Sequence, residues 1–388
     1  VELFNWLQDA LSYRQMNQRR AELRRPGQGY DYTDEKYKDI VHRTVEHLHP
    51  KRMKLVVVEI IQETASTKTL RCRRTDGSLP PFRAGQYVNV FVTIGNVTTS
   101  RAYSISSSPG EDCIDLTIRN REDGFVAPFL LNEINIGDEL ESTGPAGGFY
   151  YESLIDGDDL VFLAGGSGIT PFVAMLENFV HNGSAIKVHL LYGSRTPEDV
   201  IFAERLAKIA KAYPHLKVTL VISDPPEGYD GPTGFLDAKT IQQHVGDVAG
   251  KMFYLCGPNA MLDLCRSALK ELGVLSHRMR SELYGPPADV TQEPGWPEEI
   301  NANQEFNVKA NGVSLKAKAC EPLICSLERA GLVVPAVCRA GECSACRTKV
   351  LSGKVFMPSS VGLRESDRAN GYIHACVAYP LSDLEVRF

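Results

Sequence analysis

Hydrophobic positions change rhythm several times along this chain. In residues 1–50, Leu3, Leu7 and Leu11 recur at helical spacing beside Phe4 and Trp6, and RQMNQRRAELRR follows until Pro26 and Gly27. That spacing predicts a partly helical segment with an apolar stripe, which we expect to pack on the chain's own body rather than on a membrane surface. From about residue 51 the pattern becomes that of strands. LVVVEIIQET, TKTLRCRR and QYVNVFVTI are β-branched runs broken by the turn signals TDGS and PP, with further strands around Arg101–Ser106 and Ile114–Arg119. Many short strands with Gly/Pro turns predict an antiparallel β-barrel to about Phe149.

From about Asp158, apolar strands alternate with helices. DLVFLA leads into GGSGITP and an apolar helix, then come IKVHLLYG, EDVIFAERLAKIAKAY, LKVTLVIS, KMFYLC and HRMRSELY. This alternation predicts an α/β domain with a parallel, doubly wound sheet. Gly285–Asn303, with four prolines and four acidic residues, reads as a semi-rigid linker. Beyond it, FNVKANGVSLKAKA predicts two strands around an Asn311-Gly312 turn, and a helix is expected from Pro322 to Ala330. The expected organisation is therefore multidomain: an N-terminal helical segment 1–50, a barrel 51–150, an α/β domain 151–285, a linker 286–303 and a small α+β domain 304–388.

Composition narrows the function classes. The 388 residues are 43% apolar and 23% charged, the balance of an ordinary globular protein. A net charge of −6, from 42 basic and 48 acidic residues, argues against a nucleic-acid partner. No apolar run approaches the ~18 residues needed to cross a bilayer. The N-terminus lacks a basic head followed by an apolar core, so we expect a cytoplasmic protein.

Of ten cysteines, four fall in the stretch Cys338–Cys376. In an intracellular chain such crowding means metal or catalysis rather than disulfides. Cys338-x4-Cys343-x2-Cys346, with Cys376 separated by 29 further residues, has the spacing of a plant-type [2Fe-2S] ligand set. Three thiolates on a tight loop can wrap two irons while a distant fourth closes the set. Ala340, Gly341, Ser344 and Ala345 are small enough to bring backbone amides to the sulfurs. Structural zinc is the alternative, but zinc sites usually pair their cysteines as two short knuckles, and this chain has one. Cys320 and Cys325 share a C-x4-C spacing, but their apolar neighbours make them packing residues.

Three further motifs carry chemistry. In Arg101-Ala102-Tyr103-Ser104 a cation suits a phosphate, an aromatic suits a flavin face, and a hydroxyl suits a flavin edge. Alone the motif is weak, but it lies in a barrel just before a nucleotide domain. Gly165-Gly166-Ser167-Gly168-Ile169-Thr170-Pro171 joins an apolar strand to a helix, so its glycines suit the close approach of a pyrophosphate. It is not G-x-G-x-x-G, because Pro171 takes the last glycine's place, and a plain tight turn is its competing reading. Cys256-Gly257-Pro258 stands at a strand tip, where open α/β sheets bind ligands, although a thiol there also fits simple packing. Glu282 and Tyr284 end the last strand and are placed to reach the same crevice.

Taken in order, RAYS, GGSGITP and YLCGPNAM resemble the flavin, pyridine-nucleotide and nicotinamide-side motifs of the ferredoxin–NADP reductase superfamily over about residues 51–285. CRAGECSAC, the preceding LICSLERAGLVVPAVC and the later Cys376 resemble a plant-type ferredoxin module, with a β-grasp-like fold, over 304–388. Together they resemble reductases of the phthalate dioxygenase and 3-ketosteroid hydroxylase type. The resemblance implies flavin contacts at Arg101, Tyr103 and Ser104. It also implies pyrophosphate contacts at Gly166, Gly168 and Thr170, and a hydride path shaped by Ser104, Cys256 and Glu282 beside Gly257 and Pro258. Cluster ligands are implied at Cys338, Cys343, Cys346 and Cys376. Ala127, in DGFVAP, stands where the family usually offers a small hydroxyl to a flavin phosphate, which keeps FMN as an alternative, while the similarity of the whole motif set implies FAD. Arg195, in YGSRTPED, is placed near an adenosine ribose. It has no second basic residue close in sequence, so NADH is expected over NADPH.

These parts predict an NAD(P)H-dependent oxidoreductase that delivers single electrons to a protein partner, an oxygenase or another metalloenzyme. A reductase for an anaerobic acceptor, a general diaphorase, and a non-catalytic zinc-containing subunit are the competing readings. Residues 304–388 carry eleven basic and eight acidic side chains, a mild excess that suits docking to an acidic redox partner.

Overall fold

The structure is a computed structural model that describes residues 35–48, 50–120, 124–287, 289–359 and 361–388. The leucine stripe expected at Leu3, Leu7 and Leu11 lies outside the described residues. The described residues divide into two units at Pro50 and Lys51. In the first, helix α1 (Glu35–Leu48) carries Ile40, Val41, Val45 and Leu48 exposed on one face.

The second unit opens with six strands: β1 (Met53–Thr64), β2 (Thr67–Arg74), β3 (Tyr87–Ile94), β4 (Val97–Ser104), β5 (Cys113–Arg119) and β6 (Glu139–Ser142). They pair antiparallel in the order β4-β3-β6-β1-β2-β5, and a bridge between Ile105 and Leu116 joins the two outer strands. Period-two patterning explains the core: Met53, Leu55 and Val57 turn inward with Leu70, Cys72, Val88, Val90 and Leu116. The short helix α2 (Ala127–Asn132) adds Leu130 and Leu131 to it.

After helix α3 (Ser153–Asp156), five strands form a parallel sheet: β7 (Asp159–Gly165), β8 (Lys187–Ser194), β9 (Leu216–Ile222), β10 (Met252–Gly257) and β11 (Met279–Leu283), in the order β11-β10-β7-β8-β9. Alternate residues of β7 feed opposite faces. Leu160, Phe162 and Ala164 pack with helices α4 (Thr170–His181) and α5 (Ala203–Ala212). Val161 and Leu163 pack with α6 (Ala238–Val245) and α7 (Asn259–Glu271). Burial on both faces is why these strands read as continuous apolar runs. The chain moves outward in opposite directions from β7, to β8 on one side and β10 on the other, so a crevice opens at the strand tips between β7 and β10.

The C-terminal sheet is mixed. Strands β12 (Glu305–Ala310), β13 (Val313–Lys318), β14 (Arg347–Ser352), β16 (Tyr372–His374) and β18 (Leu384–Arg387) run in the order β13-β12-β18-β14-β16, and β15 (Val355–Phe356) pairs separately with β17 (Tyr379–Pro380). The sheet grips helix α8 (Leu323–Arg329) through Leu323, Ile324 and Leu327, and α9 (Glu365–Ala369) precedes β16. The β12–β13 hairpin turns at Asn311 and Gly312, with φ of 48° and 87°, as an Asn-Gly turn requires.

The proline-rich segment before β12 is not extended. It folds in short turns, Val290 is buried, and Trp296 meets Phe356 edge-on with ring centroids 5.3 Å apart. The gain from burying these two apolar side chains outweighs the preference of prolines for an extended spacer.

Candidate functional site

The crevice between β7 and β10 gathers residues from two sheets. Ser104, at the end of β4, brings its Oγ within 2.8 Å of the Tyr284 hydroxyl and donates to Glu282 Oε2 at 3.3 Å. Tyr284 also lies 3.1 Å from Thr170 Oγ1, and Thr170 donates to the Ser167 carbonyl at 3.0 Å. Cys256 sits opposite Glu282 in the β10–β11 register, with its thiol near the Tyr284 hydroxyl. The structure thus brings Ser104, Thr170, Cys256, Glu282 and Tyr284 to one place.

Burial dominates the electrostatics of this cluster. Desolvation, with the Glu342 carboxylate nearby, pushes Glu282 up to about 8 against the pull of Ser104, so the carboxyl is largely protonated at neutral pH. Burial and then Glu282 push the Cys256 thiol well up. A thiol held neutral in this way lacks the thiolate that a nucleophile needs.

The glycine loop fits against both neighbours. A Cβ on Gly168 would fall 2.1 Å from the Cys256 carbonyl oxygen, so only glycine lets the loop approach β10. Gly166 has φ of 51°, and a Cβ there would meet Arg119 Nη1 at 2.6 Å. The Tyr192 hydroxyl pins the Gly166 carbonyl at 3.0 Å. Gly257 and Pro258 carry β10 into α7, and the Pro258 carbonyl accepts from Leu262 N at 3.0 Å. Arg195 is 71% exposed, with Nε 3.3 Å from Asp199 Oδ2. An acidic residue there disfavours a further phosphate beside Arg195.

Arg101, half-buried, donates to Thr99 Oγ1 at 2.8 Å and to the Ser100 carbonyl at 2.7 Å, both uncharged oxygens. A desolvated cation so partnered suits an anionic group such as a flavin phosphate. Tyr103 packs its ring on the barrel core. Ala127 opens α2 and brings no hydroxyl.

In the cysteine loop, Cys346 Sγ lies 3.2 Å from Cys376 Sγ, and the Cys338 thiol contacts those of Cys343 and Cys376. The amides of Ala340 and Cys343 donate to Cys338 Sγ at 3.4 and 3.3 Å, and the Cys338 amide to Cys343 Sγ at 3.5 Å. Positive φ angles at Arg339, Gly341 and Ser344 turn the backbone this way. A Cβ on Gly341 would meet Val377 Cγ2 at 2.8 Å. Four converging thiols with amides aimed at the sulfurs fit an iron–sulfur cluster. Cys320 and Cys325 stand outside this group and are half-buried.

Two further residues belong to the site. Arg119, at the end of β5, lies over the glycine loop, with Nη2 3.8 Å from Asp199. Its position at a strand end just before a loop was the one signal available in sequence. Tyr87, on β3, lies within electrostatic reach of Cys338, Cys343, Glu282 and Glu342. Nothing in its sequence neighbourhood singles it out.

Comparison with known proteins agrees with this geometry. Residues 52–151 match the oxidoreductase FAD-binding domain family, 162–267 the oxidoreductase NAD-binding domain family, and 306–381 the 2Fe-2S iron-sulfur cluster binding domain family. The chain is 32% identical over 335 residues to the NADH oxidoreductase HCR of Escherichia coli, covering 85% of this chain and 96% of that one. It is 30% identical over 361 residues to the ferredoxin reductase component of the 3-ketosteroid-9-alpha-monooxygenase of Rhodococcus rhodochrous, covering 89% and 99%. Among solved structures, phthalate dioxygenase reductase superposes with a TM-score of 0.64 at 22% identity, over 87% of this chain and 98% of that one.

Proposed function

The chain belongs to the iron–sulfur flavoprotein reductases that join FAD-binding, NAD-binding and 2Fe-2S domains, and from that premise we propose how its residues divide the work and where its electrons go. It is an oxidoreductase that takes electrons from NADH. Bound to these domains, the flavin supplies conversion of a hydride pair into single electrons, and the cluster supplies a one-electron outlet.

In this reading residues 51–150 hold the flavin, with Arg101 at its phosphate and Tyr103 and Ser104 at its ring. Residues 151–285 hold the dinucleotide: Gly166, Gly168, Thr170 and Arg119 at the pyrophosphate, and Arg195 beside the adenosine ribose. Cys256, Gly257 and Pro258 form the wall of the hydride path. Glu282, kept protonated by burial, and Ser104 hold a proton within reach of the reacting edge. Cys338, Cys343, Cys346 and Cys376 ligate the cluster in residues 304–388, and 286–303 connects the two halves.

The observation that carries the reading is that the cysteine loop is tied to the barrel strand that ends at Ser104: Arg339 Nη2 donates to Thr99 Oγ1 at 3.0 Å, and Ser104 at the strand's end donates to Glu282 Oε2 at 3.3 Å. One strand thus runs from the cysteine loop to the nucleotide crevice, so the loop is close enough to take electrons from a flavin seated in the barrel.

The acceptor we favour is the oxygenase component of a monooxygenase or dioxygenase system. Relatives named as reductase components of 3-ketosteroid-9-alpha-monooxygenase and of glycine betaine monooxygenase in Chromohalobacter salexigens support this. We place the protein in the cytoplasm, in keeping with ten cysteines free of disulfides. Mixing NADH-reduced protein with an oxygenase component encoded nearby tests the acceptor. Reoxidation of the cluster together with reduction of the oxygenase is expected. Electron delivery only to dyes or to an anaerobic acceptor would contradict it.

A further inference from the structure

Strand β4 carries a second polar cluster, several residues before Ser104. The Thr99 hydroxyl donates to Glu328 Oε2 at 2.9 Å and accepts from Arg101 Nη1 at 2.8 Å and Arg339 Nη2 at 3.0 Å. A hydroxyl has one proton and two lone pairs, so Thr99 is saturated. Glu328 lies in the last turn of α8, and Arg339 follows Cys338. They form an ion pair with each other, and each side chain is 7% exposed. Arg339 adopts φ of 54°, a left-handed conformation that an arginine keeps only when its surroundings hold it there.

A second tie lies nearby. Asn89 Nδ2, on β3, donates to the Ala336 carbonyl at 2.8 Å and to Ser100 Oγ at 2.9 Å. The stretch from α8 to the cysteine loop is thus fixed at both ends to two adjacent barrel strands. These contacts are desolvated, so leaving one partner unpaired is expensive. The charge count is uneven as well: the guanidiniums of Arg101 and Arg339 face the single carboxylate of Glu328. Arg339 lies close enough to weaken the hold of Arg101 on its proton, after burial itself.

We propose that Thr99, Glu328 and Arg339 are positioning residues of an interdomain latch, in which Thr99 couples the seating of the cysteine loop to the anion held at Arg101. The inference rests on the reading of Arg101 as a flavin phosphate contact. An anion at Arg101 offsets the extra positive charge, so it tightens the latch. By linkage, a closed latch strengthens flavin binding by the same factor. The latch also fixes how near the cysteine loop sits to the barrel strand that ends in Ser104.

The test uses the full-length chain with Thr99→Val, which keeps the shape and loses all three hydrogen bonds. Thr99→Val is expected to weaken FAD binding about tenfold, the scale of one charge-assisted hydrogen bond. It is also expected to speed amide exchange in Leu323–Arg329, with cluster content unchanged. In the wild type, removing FAD should speed the same amides, and in Thr99→Val that response should vanish. Thr99→Ser, which keeps the hydroxyl, should restore both. Wild-type FAD affinity together with wild-type exchange in Thr99→Val overturns the latch. Weakened FAD binding with exchange in Leu323–Arg329 indifferent to both the substitution and FAD also overturns it. If Arg101→Ala leaves FAD affinity unchanged, the Arg101 reading fails. Faster exchange in Thr99→Val would then show contacts without coupling, which overturns the inference separately.

Discussion

In the cysteine loop, the backbone itself meets negative charge: the amides of Ala340 and Cys343 turn onto the Cys338 sulfur. In the nucleotide crevice, a carboxyl is met by a single hydroxyl, Ser104, and burial pushes Glu282 up to about 8. One region is therefore built to hold fixed anionic ligands, and the other to hold a proton. The loop draws three of its four thiols from Cys338–Cys346, whereas the crevice draws on four stretches of chain that meet only in the folded sheet. A single substitution should empty the loop yet only detune the crevice.

The largest expected effect follows from that contrast. Cys346→Ala removes one of four convergent thiols and should abolish the cluster chromophore and electron delivery to a protein acceptor. Flavin bleaching by NADH should persist, because the crevice shares no ligand with the loop. Absorption spectra with iron and sulfide analysis check this. Concurrent loss of flavin reduction would show that the two regions are not separable.

The next effect sharpens the crevice side. Gly168→Ala would set a Cβ 2.1 Å from the Cys256 carbonyl oxygen, and neither backbone can yield cheaply. We expect a loss of about 1–3 kcal/mol in stability, as for other overpacked positions, and a higher KM for NADH. Thermal unfolding and steady-state kinetics measure both.

The proton-holding role has its own signature. Glu282 is raised from an ordinary 4.5 to about 8, by burial first and Glu342 second. The folded state therefore binds the extra proton. That contribution is complete below about 4.5 and is lost as pH rises through about 8. Glu282→Gln removes the titration, so its stability relative to the wild type should grow across that window, by at most a few kcal/mol. Unfolding midpoints from pH 5 to 9 read it, and parallel curves would contradict the assignment.

How much of this was legible beforehand depends on distance along the chain. The cysteine loop, the Asn311-Gly312 hairpin and the Gly166–Pro171 turn each carry their geometry in a short string, so sequence alone located them. Ser104, Cys256 and Glu282 were expected in one crevice from the motifs and strand tips that carry them, but their contacts depend on the parallel register that sets Cys256 opposite Glu282. Tyr87 and Arg119 gave little signal, since a tyrosine or arginine at a strand end is common on any barrel. Thr99, Glu328 and Arg339 were invisible for the same reason: a buried ion pair between domains looks in sequence like two surface charges. In residues 286–303 the prolines were legible as a semi-rigid connection, but not the packing of Val290 and Trp296 that governs where that segment lies.

The smallest expected effect is at Arg195, exposed and paired with Asp199. An exposed pair of this kind contributes at most about 1 kcal/mol, so Arg195→Ala should change the KM for NADH by no more than a few-fold. Preference for NADH over NADPH should remain, and its loss would make Arg195 a specificity determinant.

The central claim is the order of transfer: NADH to flavin in the crevice, then flavin to cluster in the cysteine loop. Anaerobic rapid mixing of the full chain with NADH tests it directly, with flavin and cluster absorbance followed separately. The account predicts that flavin bleaching comes first and cluster bleaching follows it. Cluster reduction that precedes flavin reduction, or proceeds in flavin-free protein, would contradict it.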